Sequence, residues 1–113
     1  MKLTARSALE LWRGALIETV RSRGPDLTAR QLAIVLCVYL TDPPHTVRRL
    51  ARELKLRKPA VTRALDKLEE LGLARRKPDP DDKRSIVVQR TVRGSVYLSE
   101  FGDLVLRAAR QVP

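Results

Sequence analysis

Between Thr46 and Thr91 the hydrophobic period of the chain changes, and that change leaves few folds open. Thr46 is a good N-cap, and Val47, Leu50, Ala51 and Leu54 follow it at helical spacing. Lys55-Leu56-Arg57 makes a turn in which Leu56 plugs the angle between two helices. Pro59 opens the next helix, because its missing N–H would have no partner in a first turn anyway. Val61, Leu65 and Leu68 form the buried stripe of that helix, with Ala64 beside it, and Leu71-Gly72-Leu73 ends it. Two short strand candidates follow, at residues 74–77 and 86–90. The loop between them, PDPDDKRS, has turn formers at its base and charges at its tip. Helix, turn, helix and hairpin in this order predict a helix-turn-helix with a wing: mainly α, with a small β-wing.

The flanking sequence completes a single winged-helix domain over residues 1–113, with the winged part at 28–90. A first helix is expected over residues 5–23, with Thr4 as its cap, Gly24 as its C-cap and Pro25 as its stop. Leu9, Trp12, Leu16, Ile17 and Val20 make one apolar stripe on it. Thr28 caps a second helix that runs to Leu40; its middle, LAIVLCVYL, is apolar on every face, as in a central helix. Thr91 caps a last helix over residues 91–111, with Tyr97, Leu98, Phe101, Leu104, Val105 and Ala108 in its stripe. A small winged helix does not need both terminal stripes for its own core. The surplus predicts a two-fold dimer through Leu9, Trp12 and Leu16 of the first helix and Tyr97, Phe101, Leu104 and Val105 of the last.

Charge follows the same division. Residues 46–93 carry 15 Lys/Arg against 7 Asp/Glu, which puts +8 of the chain's +10 in the helix-turn-helix and wing. A basic surface on a fold that presents a helix is the footprint of a double-stranded DNA binder. The second helix of the motif fits the major groove, and its N-terminal part reads base edges. Arg63 suits a guanine, Thr62 a thymine methyl or a phosphate, and Ala60 permits close approach. Arg57 and Lys58 lie where a phosphate meets free backbone N–H groups, and Lys67 touches backbone one turn deeper. On the wing, Arg75, Arg76 and Lys77 lie on the entering strand, and Lys83 and Arg84 on the exit side. Arginine is favoured in a narrow minor groove. Asp82, two residues before Arg84, is positioned to hold that guanidinium.

Other chemistries find little support. One His, one Cys, no Gly-rich phosphate loop and no clustered catalytic carboxylates argue against an enzyme. Neither a cofactor nor a metal is expected: Asp79, Asp81 and Asp82 lack the spacing and glycine of a calcium loop. Cys37 reads as a buried, inert core thiol with no basic neighbour in sequence, and His45 as a solvated residue at a loop end. The longest apolar run, from Leu32 to Leu40, is too short for a bilayer, and Arg6, Glu10 and Arg13 interrupt any signal-peptide core. A soluble, cytoplasmic, nucleoid-associated protein is therefore expected, without a membrane partner.

Residues 27–98 resemble the MarR family of bacterial winged-helix transcription regulators. The recognition-helix phrase VTRALDKLEELGLARR followed by DPDDKR carries the resemblance. It implies a homodimeric DNA-binding repressor or activator, with the helix from Arg57 to Lys67 in the major groove and Arg84 in the minor groove. Lys58-Pro59 stands where the family often has serine or threonine. One helix follows the wing where the family usually has two, so the expectation is a short member with a truncated C-terminal dimerisation region. The leading expectation is a dimeric, sequence-specific transcription regulator, most simply a repressor. Two alternatives stay open: a low-specificity architectural or mobile-element DNA-binding protein, and a winged-helix adaptor for an acidic protein partner. The sequence does not name an operator, regulated genes or a small-molecule effector.

Overall fold

The computed structural model describes residues 3–113. Eight elements follow in order: α1 (Ala5–Arg21), α2 (Ala29–Leu40), β1 (His45–Thr46), α3 (Val47–Leu54), α4 (Lys58–Glu70), β2 (Ala74–Pro78), β3 (Ile86–Arg90) and α5 (Val92–Arg110). They divide into two compact units, Leu27–Ser95 and residues 3–26 with Val96–Pro113. Among the described residues no helix is long and apolar enough to cross a membrane.

The unit Leu27–Ser95 is a winged helix-turn-helix. Thr28 and Thr46 cap α2 and α3 by accepting the N–H of the third helical residue, Gln31 at 3.2 Å and Arg49 at 3.0 Å. Both helices of the motif then end alike. Leu56 N–H reaches back to the Ala51 carbonyl at 2.9 Å and Lys55 N–H to Arg52 at 3.3 Å. Leu73 N–H reaches Leu68 at 2.8 Å and Gly72 N–H reaches Glu69 at 2.9 Å. These are paired Schellman closures, which need a left-handed residue. Gly72 supplies it freely at φ 76°, whereas Lys55 adopts φ 53° against the side-chain penalty.

The core of this unit joins Ile34, Val35 and Val38 of α2 with Val47 and Leu50 of α3, Val61, Ala64, Leu65 and Leu68 of α4, and Leu73, Ala74 and Val88 of the wing. Each Leu, Ile or Val sealed there contributes about 1.5–3 kcal/mol relative to exposure. The wing is a three-stranded antiparallel sheet in the order β1-β3-β2. Its third strand is only His45 and Thr46, opposite Val88 and Val87. This pairing overturns the expectation for His45. The residue is 4 % exposed, with Nε2 3.2 Å from the Thr41 carbonyl, because as part of β1 it pairs with Val88 on the second edge of β3.

In the other unit, α1 ends at Arg21, two residues short of the expected boundary, and Gly24 is not its cap. Ser22 is already extended, its N–H closes on the Glu18 carbonyl and its hydroxyl donates to the Thr19 carbonyl at 2.8 Å. Ala15 and Ala108 are buried, and Gly14 lies beside Ala108. Tyr97 and Phe101 stack with ring centroids 6.2 Å apart. Leu9, Trp12 and Leu16 are 69 %, 41 % and 43 % exposed, so the α1 stripe is uncovered in the single chain. Tyr97, Phe101, Leu104 and Val105 are half-buried.

Candidate nucleic-acid interface

Helix α4 presents its apolar stripe inward and two polar flanks outward. Val61, Leu65 and Leu68 are buried, while Arg57, Lys58, Arg63 and Lys67 are exposed and Ala60 and Thr62 are half-buried. No side chain caps the first turn of the helix. Lys58 is its first residue and Pro59 its second, one position later than the sequence suggests. Pro59 thereby removes one of the donors a phosphate would otherwise find there.

The two flanks face different neighbours. Lys58 and Thr62 line a cleft of about 300 Å³ with Val47, Arg76, Lys77, Pro78 and Ile86, between α4 and the wing. Ala60, Arg63 and Ala64 border a depression of about 400 Å³ with Thr28, Ala29, Arg30 and Gln31, at the start of α2. Arg30 was not picked out by sequence reasoning. A signal existed: it is a basic residue in a first turn that holds no acidic one, opposite to what the helix dipole favours.

The wing loop is shaped by its aspartates. Asp79 Oδ1 accepts the N–H of Asp81 at 2.9 Å, and Asp82 Oδ1 accepts the N–H of Arg84 at 3.1 Å. Asp79 N–H closes the loop on the Ser85 carbonyl at 3.0 Å. The same Asp82 Oδ1 lies 3.4 Å from Arg84 Nε, yet the Arg84 side chain stays 90 % exposed. Lys83, Arg75 and Lys77 are also exposed.

Ion pairing sorts the basic residues. Among the described residues, Arg57, Lys58, Arg63, Arg75, Lys77 and Lys83 make no ion pair, and Lys67 lies 3.8 Å from Glu70. Arg76 behaves otherwise than its neighbours on β2. Its guanidinium turns onto α4, with Nη2 donating to Asp66 Oδ1 at 2.7 Å and Nε 3.4 Å from Glu69 Oε1. It is therefore spent inside the motif, not held out for a partner. Arg49 takes Glu53, four residues on along α3, at 2.8 Å. Residues one apart on a helix do not face each other, whereas those four apart do.

Cys37 is half-buried rather than sealed. Burial, and then the charge of Glu53, push its thiol up, away from the reactive thiolate.

Known proteins share this fold. The family model described as MarR family matches residues 27–86. A curated relative, the uncharacterized HTH-type transcriptional regulator YkoM of Bacillus subtilis (strain 168), is 36% identical over 77 residues, covering 67% of this chain. The chain spans 50% of that relative's length. Among solved structures, a mutant of MarR from E. coli complexed with operator DNA superposes with a TM-score of 0.73 at 25% identity, over 95% of this chain and 74% of that one. The transcriptional regulator BldR from Sulfolobus solfataricus gives a TM-score of 0.64 at 30% identity, over 91% of this chain and 73% of that one.

Proposed function

The chain belongs to the MarR family, and from that premise we propose that it is a sequence-specific transcription regulator of double-stranded DNA. A regulator of this family is a DNA-binding factor and not an enzyme. One observation carries the reading: α4 and the wing of a single unit hold Arg57, Lys58, Arg63, Arg75, Lys77 and Lys83 exposed and, among the described residues, without ion pairs. Cations left unpaired on a groove-sized helix are available to phosphates and base edges.

In this reading α4 enters the major groove, with Arg63 on a base and Thr62, Ala60 and Lys58 against the strand. Arg84 enters the minor groove, oriented by Asp82, while Lys83, Arg75, Lys77, Arg57 and Lys67 hold phosphates. The similarity to a MarR protein solved with operator DNA supports this docking. A second copy of the chain covers Leu9, Trp12 and Leu16 together with Tyr97, Phe101, Leu104 and Val105. The resulting two-fold dimer reads a pseudo-palindrome whose half-sites are about 10 bp apart, or a multiple of it. Repression by occupying a promoter, in the cytoplasm and on the nucleoid, is the simplest output.

A gel-shift series at two salt concentrations tests the reading, with a selected site and random duplex as probes. Specific binding exceeds random binding by about 10³ or more for a regulator. Equal affinity for both probes favours the architectural alternative. Failure to bind any duplex at low salt favours an adaptor for an acidic protein.

A further inference from the structure

We infer that Arg76 is a positioning residue, which locks the wing onto the recognition helix so that the two groove contacts are presented in one fixed register. The inference rests on the DNA-binding reading above and deepens it.

Strand alternation sets the arrangement up. Arg75 and Lys77 point outward on β2, and period two turns Arg76 to the opposite face, toward α4. Because the sheet order is β1-β3-β2, β2 is an edge strand with hydrogen-bonding groups open on one side. Glu69 of α4 fills that opening: its Oε1 accepts the Arg76 backbone N–H at 2.8 Å. The Arg76 side chain then spans Asp66 and Glu69, which lie three residues apart and share one face of the helix. One residue of the wing is thus held by main chain and side chain to two residues of the helix.

The chemistry of the pair supports more than surface decoration. The Arg76 amide, more than its guanidinium, holds the Glu69 carboxyl below the usual carboxylate range. Asp66 lies between Arg63 and Lys67 on α4, so a bare carboxylate there would repel the DNA phosphates beside the contacts those two residues make. Arg76 cancels that charge from behind. Exposed ion pairs add little to global stability, so fixing the angle between wing and helix is the better account of this network.

The test exploits a difference in sign. Asp66→Asn with Glu69→Gln removes two negative charges while leaving an acceptor for the Arg76 N–H. Plain electrostatics then predicts tighter binding to any duplex. Positioning predicts that Arg84 loses its placement and therefore its value. The measured quantity is the factor by which Arg84→Ala weakens binding to the selected site, taken in the wild-type background and in the double variant. We expect that factor to shrink about threefold or more in the double variant, the coupling typical of one network. Thermal melts confirm that each protein is folded, and Arg76→Lys, a point charge that cannot fork between two carboxylates, should shrink the factor too. An unchanged factor in both backgrounds overturns the inference and leaves the DNA-binding reading intact. A wild-type protein that binds no duplex overturns that reading, and the inference with it.

Discussion

The Tyr39 hydroxyl accepts the backbone N–H of Thr91 at 2.9 Å, across 52 positions of sequence. It also donates to the Leu73 carbonyl at 2.7 Å. Thr91 meanwhile caps α5, accepting the Gly94 N–H at 2.9 Å and donating to the Gly72 carbonyl at 2.7 Å. One phenol therefore ties α2, the turn after α4 and the start of α5 together. Gly94 lies directly against it, and a Cβ there would collide with the Tyr39 hydroxyl and crowd the Leu73 carbonyl. Gly94→Ala should cost about 1–3 kcal/mol in urea denaturation, the usual cost of overpacking. Tyr39→Phe should cost about 1–3 kcal/mol by stranding the Thr91 N–H. The double variant should lose less than the sum, because removing the hydroxyl relieves part of the clash. Strict additivity would contradict this account of the joint.

Arg84 stands in solvent on a turn that Asp82 shapes. Arg84→Ala should weaken binding more at sites with A·T-rich centres than at G·C-rich ones, since a narrow minor groove attracts arginine most. The slope of log affinity against log salt should fall by about one unit. Equal losses on the two classes of site, measured by fluorescence anisotropy, would remove Arg84 from the minor groove.

Arg63 and Lys58 lie on different flanks of α4 and should fail differently. Arg63→Ala should cost about 1–3 kcal/mol and relax preference at one position per half-site. Lys58→Ala should weaken all sequences alike, as a lost phosphate contact does. Affinities for a panel of single-base variants of the site would separate the two, and identical profiles would contradict the assignment.

Acid should expose the contribution of Glu69. Its carboxyl titrates below the ordinary value of 4.5, chiefly through the Arg76 amide and then its guanidinium, with burial and the Asp66 charge opposing them. A carboxylate lowered in the folded state stabilises fully above its unfolded pKa, and that support fades as pH falls through the folded value. Between about pH 5 and about pH 3 the wild-type melting temperature should therefore fall more steeply than that of Glu69→Gln. Parallel curves would show that the contact contributes nothing to stability.

Much of the fold was legible because it is written in local pattern. The stripe Val61, Leu65 and Leu68 is buried as its spacing requires, and Thr4, Thr28 and Thr46 each accept an N–H in the first turn of their helix. Features that depend on distant pairing were not legible. His45 lies in a two-residue strand, too short to show a period, and is buried where that strand pairs with the second edge of β3. The end of α1 is not legible either: Gly24-Pro25 is a stronger stop signal in sequence than Ser22, where the backbone leaves the helix. At the candidate site, Arg75, Arg76 and Lys77 look alike in sequence. Only the fold of β2 back along α4 brings Asp66 and Glu69 to Arg76, across 10 and 7 residues.

Selection of binding sites from random duplex DNA by the purified chain tests the central claim most directly. The account predicts one enriched motif, an inverted repeat with half-site centres about 10 bp or a multiple of it apart. Recovery of a pool with no motif, at a salt concentration where the protein still binds, would contradict it.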